Sequence, residues 1–394
     1  MTGWGRNTDQ EPYAKDRNTP LSYRETAFGC RGRTVGFRWR GSAGSMTPAI
    51  RHQARRTMTI PSAFQPTAPG AEPCLHASAG TEARCPLTGS PDVRHLRTLR
   101  VRDIAALYRT LFGIDVGAEF GGVEEVAMYR SVPTDLIFFH PSVTGSGSFY
   151  EQLARIPWYY QKDKFEFRHA ARWIGEADKV LEVGCGHGHF ADALPSPHYT
   201  GLEFSPAAVA ACRERGLTVL AESARDHAAA HPGGYDAVCS FQVMEHVADV
   251  AGFLSACVRL TKPGGLLILS VPSADSFNAH AVNPVLNMPP HHVTWWTHAC
   301  LTGLPRLYPI ELLDLHQQTL SDGGHRRWYL QNLILRALYK YLGHGDPGLV
   351  NLSPQMAALR PIAEQMSAVL ELGFEDPVME PPGDSVIVVY RRRP

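Results

Sequence analysis

Residues 180–190 read VLEVGCGHGHF, an apolar run of strand length that carries Glu182 and then glycines at 184, 186 and 188. Glycine at the end of a buried strand lets the main chain approach a ligand where a side chain would clash. A second acid, Glu203, follows in Gly201-Leu202-Glu203-Phe204-Ser205-Pro206. An acid about 20 residues beyond such glycines can accept hydrogen bonds from both hydroxyls of a ribose, and the aromatic beside it can cover an adenine face. Two phosphate-binding patterns fit less well: a G-x-G-x-x-G turn needs glycine where the chain has His189, and no Lys-Ser or Lys-Thr pair follows to make a P-loop.

The elements that must position these residues alternate in kind. Strands are expected over 179–183, 199–204, 217–221, 235–240 and 266–271, with helices over 205–215, 223–230 and 245–260 between them. That order predicts a parallel sheet covered by helices on both faces. Two later runs, 310–319 and 385–390, read as the last strands, separated by a helical insertion over about 328–372. Ahead of the sheet, residues 149–175 read as helix interrupted at Pro157. A small module over 81–148 precedes them, with a helix over 99–113 stopped by Gly113 and strands over 126–129 and 136–139. We place the domain boundaries at 1–80, 81–148 and 149–394.

Two further segments follow in order: Tyr235-Asp236-Ala237-Val238-Cys239-Ser240-Phe241-Gln242-Val243-Met244-Glu245-His246-Val247 and Leu260-Thr261-Lys262-Pro263-Gly264-Gly265-Leu266-Leu267-Ile268. With these four motifs, the chain from about 150 to 319 resembles a class I S-adenosylmethionine-dependent methyltransferase, of the broad group that includes ubiquinone-pathway and sugar methyltransferases. The resemblance implies an α/β, Rossmann-like, mostly parallel seven-stranded sheet and S-adenosyl-L-methionine as cofactor. It implies Glu182, Gly184, Cys185 and Gly186 at the methionine end and Glu203 with Phe204 at the ribose and adenine. Glu222 and Ser223 would then lie near adenine, and Phe241 and Gln242 where the fourth strand ends. Glu222 has an equal reading as a helix N-terminal acid favoured by the macrodipole.

The loop after the fifth strand contains Asn287-Met288-Pro289-Pro290-His291-His292-Val293-Thr294-Trp295-Trp296. Loops above the carboxyl edge of the sheet are where an acceptor meets the methyl group, and a histidine titrating near neutrality suits removal of its proton. His292 and His291 are the candidates, ahead of His246; the alternative is that they bond loop backbone. Trp158, Tyr159 and Tyr160 are candidates for a lid or for core. Some relatives hold a divalent metal with a Glu-x-x-Glu-His run, but here the first position is Gln242, leaving Glu245 and His246, so no metal is expected, with His291 or His292 the alternative route to one. The remaining alternative function is a cofactor-binding scaffold without turnover.

Cys85-Pro86-Leu87-Thr88-Gly89-Ser90 resembles one knuckle of a zinc ribbon, and Ser131 and Thr134 stand where the partner knuckle would have cysteines. Three of the four donors are missing, so we expect a metal-free module held by packing, with Cys74 and His76 the nearest substitutes.

Lys plus Arg equals Asp plus Glu at 38 each, which gives no reason to expect nucleic acid as partner. Residues 1–57 nevertheless carry ten Arg and one Lys against four acids. The stretch over 1–80 is rich in Gly, Pro, Ser, Thr and Arg without periodicity and is expected to be disordered. Met46 and Met58 within it allow a downstream start, whereas a transit peptide is disfavoured by its acids. No apolar run suggests a membrane span. The eight scattered cysteines suit a reducing cytoplasm and the expected partner is a small-molecule acceptor.

Overall fold

In the computed structural model, residues 82–156, 159, 161–320, 325–371 and 381–394 are described. The expected tail over 1–80, with Cys74 and His76, lies outside them, as do Trp158 and Tyr160.

Strands β1 (Val93–Arg100), β2 (Glu125–Ser131) and β3 (Ile137–His140) form an antiparallel sheet, with α1 (Val101–Phe112) between the first two. Helix α1 buries Val101, Ile104, Ala105, Leu107 and Tyr108, one stripe at helical spacing. Gly113 ends it in the left-handed conformation at φ 69°, its N–H donating to carbonyls of the last turn. The start differs from expectation: Leu99 and Arg100 pair with Val126 and Glu125 and belong to β1. This strand escapes the sequence pattern because its residues VRHLRTLR are mostly exposed or half-buried, which leaves no clean alternation to read.

Helices α2 (Gly147–Ala154) and α3 (Phe165–Ala171) lead into the main sheet. Its chain order is β4 (Val180–Val183), β5 (Tyr199–Leu202), α4 (Pro206–Glu214), β6 (Val219–Leu220), α5 (Ala224–Ala230), β7 (Tyr235–Phe241), α6 (Val250–Leu260) and β8 (Thr261–Pro272). After a long loop come β9 (Thr294–Trp295), α7 (His298–Gly303), β10 (Ile310–Thr319), α8 (Arg326–Tyr341), α9 (Pro354–Glu371) and β11 (Pro382–Arg392). The spatial order is β10-β11-β8-β7-β4-β5-β6. Strands β6, β5, β4, β7 and β8 run parallel, and β11 inserts antiparallel between β8 and β10. The chain winds outward from β4 to β6 and then returns to β7, so the direction of winding reverses between β4 and β7. A crevice opens at the carboxyl ends of strands at such a switch point.

Successive residues of each strand point to opposite faces, and both faces are apolar. Leu181, Val183, Val238, Leu267 and Leu269 face α5, α6 and α7, whereas Val180, Ala237, Cys239 and Ile268 face α3 and α4. Helices α8 and α9 lie between β10 and β11 in the chain and bury Ile334, Leu335, Met356 and Leu359 against each other and against Val282.

Strand β9 pairs with β3, so the loop after β8 completes the sheet of the N-terminal module. Trp295 packs edge-on to Phe139, and the Asp135 carboxylate accepts from the hydroxyl of Thr297 at 2.8 Å and from Arg130. Cys85, Leu87 and Leu136 join the same core as Trp296, Cys300 and Leu301. The Cys85 thiol lies 3.3 Å from the Thr134 hydroxyl. Burial pushes this thiol up, but the hydroxyls of Ser131, Thr134 and Thr88 outweigh it and leave its pKa lowered. Thr88, Ser131 and Thr134 thus lie around the Cys85 thiol. All six cysteines among the described residues are free and buried, and no helix of the described residues is long and apolar enough to cross a membrane.

Candidate active site

The turn after β4 needs its glycines. Gly184, Gly186 and Gly188 have φ of 75°, 52° and 67°, a region that L side chains avoid. A Cβ on Gly184 would lie 2.5 Å from a methyl of Val243. The side chain of Val243, just after β7, thus packs directly against the glycine turn.

Glu203 stands at the end of β5 with its carboxylate fixed by main chain: it accepts from the N–H of Gly186 at 2.9 Å and of Ser205 at 2.8 Å. Each carboxylate oxygen has a second lone pair, so hydroxyl donors can still be bound. Phe204 beside it is 67% exposed, an aromatic face left open at the crevice. Ser205 and Pro206 then start α4, the serine as N-cap.

The other residues named from the sequence have packing or hydrogen-bond partners of their own. Cys185 turns its side chain into the core, where its sulfur stands 2.6 Å from the place a Cβ on Gly201 would occupy. Only its main chain faces the turn. Phe241 is 5% exposed and packs on Phe190 and Phe167 at 4.8 and 5.3 Å between ring centres, on the inner face of β7. The alternation of the pleat points Phe241 inward, and the glycine turn after β4 does the same for the Cys185 side chain. Glu182 is 2% exposed and accepts the hydroxyl of Tyr199 at 2.5 Å. Burial pushes its carboxyl up to about 8, so it is largely neutral at pH 7. Ser223 is the N-cap of α5, accepting from Asp226 N–H. Glu222 accepts from His227 at 2.8 Å, and His227 in turn contacts the Tyr235 hydroxyl at 2.6 Å.

Gln242 adopts φ 59°, unusual outside glycine, and its amide donates to Glu166 at 2.9 Å and to the Ser385 hydroxyl at 2.7 Å. Glu166 and Ser385, each 5% exposed, complete a polar group that sequence reasoning missed. They come from α3 and β11, far apart in the chain. An amide already held by these partners does not fit a Glu-x-x-Glu-His metal run.

A cluster of rings lies beyond the turn after β7. The turn after β7 supplies Glu245 and His246, and the loop pinned by β9 supplies His291 and His292. His291 and His292 stack at 4.4 Å between centres, with His246 at 4.5 and 4.8 Å from them. Tyr150 of α2 flanks His246 and His291, and Tyr159 donates its hydroxyl to Nε2 of His291 at 2.9 Å. His291 Nδ1 donates to the carbonyl of Leu286 at 2.8 Å, so both of its nitrogens are engaged. His292 is 6% exposed and its Nδ1 has no partner; Glu245 is 1% exposed and neither oxygen has one. Leaving such an atom unpaired costs about 1–3 kcal/mol. Burial pushes the Glu245 carboxyl up to about 8 and His246 down to about 4, and holds His291 and His292 well below the ordinary histidine value. All three imidazoles are therefore neutral at pH 7.

A doubly wound sheet with a glycine turn and a ribose-type acid at its switch point defines a nucleotide-cofactor domain. Residues 158–325 match the family described as "Methyltransferase domain". The chain is 39% identical over 170 residues to the ubiquinone biosynthesis O-methyltransferase of Sodalis glossinidius, covering 38% of this chain and 67% of that one. It is 41% identical over 112 residues to the enzyme of the same name from Thiobacillus denitrificans, covering 25% of this chain and 48% of that one. The match thus spans about half the length of the latter relative. A putative sarcosine dimethylglycine methyltransferase from Galdieria sulphuraria aligns at TM-score 0.37 and 14% identity over 57% of this chain and 81% of that one, a likeness too loose to bear on function. The chain belongs to the class I S-adenosylmethionine-dependent methyltransferases.

Proposed function

We propose that the protein transfers a methyl group from S-adenosylmethionine to an oxygen or carbon of a small-molecule acceptor. The observation that carries this reading is the Glu203 carboxylate, fixed by the N–H groups of Gly186 and Ser205 beside the open face of Phe204. Gly184 and Gly186 would hold the methionine end, Glu203 the ribose and Phe204 the adenine. The cofactor, when bound, supplies an electrophilic methyl on a sulfonium.

The remaining work is alignment and proton removal. Val243 on Gly184 brings the turn bearing Glu245 and His246 against the cofactor loop, which supports the histidine cluster as the acceptor side. Of its members, His292 has an unpartnered Nδ1, which offers a lone pair to the proton of a hydroxyl acceptor. Tyr150 and Tyr159 wall the cluster and would exclude water from the proton's path. The O-methyltransferase names of the relatives support oxygen as the receiving atom. The buried free thiols support a reducing, cytoplasmic setting.

Incubation of the full chain with radiolabelled S-adenosylmethionine and a panel of phenols, catechols, sugars and acidic carbons tests the reading. Label in an acceptor hydroxyl or carbon is expected, reduced at least tenfold by His292→Gln. Cofactor binding without labelling of any acceptor would speak for a scaffold.

A further inference from the structure

We propose that the outward face of the α8–α9 hairpin docks on the same face of a second copy of this chain, making the protein a two-fold dimer. Helix α8 turns Ile334 and Leu335 into the cluster shared with α9. Its Asn332 and Arg336 reach the loop after β8, where Asn332 accepts the N–H of Val282 at 2.8 Å and Arg336 donates to the carbonyl of His280 at 3.0 Å. Leu333 and Tyr341, about two turns apart, take the side that remains. Both are exposed, Tyr341 to 87%.

Helix α9 buries Met356, Leu359, Ala363 and Ser367. Beside that stripe Ile362, Met366, Val369 and Leu370 repeat at helical spacing and stay exposed, Val369 to 70%. A surface helix ordinarily has one apolar stripe, covered by what it packs on, with polar residues elsewhere. Each of these two helices has a second one that no described residue covers. Eight of the twelve large apolar side chains exposed among the described residues lie within 333–370, so the exposure is concentrated on this hairpin.

The area and the spacing argue for a second hairpin as the occupant. At ordinary side-chain areas the six residues leave roughly 600 Å² open, at the upper end of what a monomer carries. Each partner of a standard interface gives about 800 Å², so the six residues with their rim are enough for one. Leu359, Ile362, Met366 and Val369 follow one another at intervals of three, four and three residues, the seam that a partner helix fills. An isologous contact needs one patch complementary to itself, and an uncharged seam meets its copy without like-charge repulsion. A two-fold axis along the hairpin then lays each α8 over the α9 of the other copy, as in a four-helix bundle. Through Asn332 and Arg336 the contact braces the loop that goes on to His291 and His292.

Sedimentation of the full chain over a concentration series tests the proposal independently of methyl transfer. A dimer with a Kd of about 10 µM or tighter is expected. Ile362→Glu with Val369→Glu should raise that Kd at least tenfold by placing charges in the seam. Leu307→Glu, at an exposed leucine outside the hairpin, should leave it unchanged. Hydrogen exchange of the unmutated chain, compared above and below the Kd, should gain protection within 326–371, a readout that needs no variant to fold. A chain still monomeric at about 100 µM would overturn the proposal. So would a dimer that survives the double substitution with its protection elsewhere, or a monomer whose hairpin instead binds phosphatidylglycerol vesicles.

Discussion

Gly184→Ala is the substitution for which the fold gives the sharpest expectation. The residue sits at φ 75°, and an added Cβ would lie 2.5 Å from a Val243 methyl. The left-handed backbone costs an L residue about 1–2 kcal/mol. The clash adds about 1–3 kcal/mol, because β-branched valine has few rotamers into which it can retreat. Together the change should destabilise the chain by about 2–5 kcal/mol, a large part of a typical domain's total. Companion Val243→Ala removes the obstructing methyls. In a double-mutant cycle the coupling should be favourable by about 1–3 kcal/mol, the steric share, while the backbone share persists. Urea denaturation of the four proteins measures both. A Gly184→Ala loss below about 0.5 kcal/mol, or a coupling near zero, refutes the account of how the turn after β7 closes on the glycine loop.

Other expectations are simpler to check. Glu182 has a folded pKa of about 8 against an ordinary 4.5, so its contribution to stability is whole below pH 4.5 and is lost as the pH rises through about 8. Glu182→Gln should flatten the fall in stability across that window by up to about 1.4 kcal/mol per pH unit, read as urea midpoints at several pH values; an unchanged slope contradicts the assignment. Phe241→Ala should cost about 3–5 kcal/mol as a core deletion, whereas Phe204→Ala should leave stability within about 0.5 kcal/mol and weaken S-adenosylhomocysteine binding several-fold. Thermal melts and calorimetry separate the two, and the reverse pattern would exchange their roles. Ser223→Ala should remove about 1 kcal/mol through the lost cap of α5; a much larger loss of cofactor affinity than of stability would give the serine a binding role instead.

The sheet was legible because its strands are short apolar runs separated by helices with clear starts, such as Ser205-Pro206 ahead of α4. The glycine turn and Glu203 were legible because local chemistry demands those residue types there. What escaped was long-range. Nothing local announces that Glu166 and Ser385 meet at Gln242, or that a two-residue strand at Thr294–Trp295 docks on β3. The acceptor-side cluster was read one histidine at a time. Only the fold shows that His246, 45 residues from His291, shares a buried pocket with it and with an unpaired Glu245. Cys185 and Phe241 were assigned by position in a motif, and both side chains pack into the core, Phe241 through the pleat of β7 and Cys185 through the glycine turn.

The central claim is that Glu203 and the glycine turn form the cofactor site. Titration calorimetry of S-adenosylhomocysteine into the unmutated chain and into Glu203→Ala tests it most directly. The account predicts one site per unmutated chain and at least a tenfold weaker Kd in the variant, with an unchanged fold by circular dichroism. No binding to the unmutated chain, or equal binding to both, would contradict it.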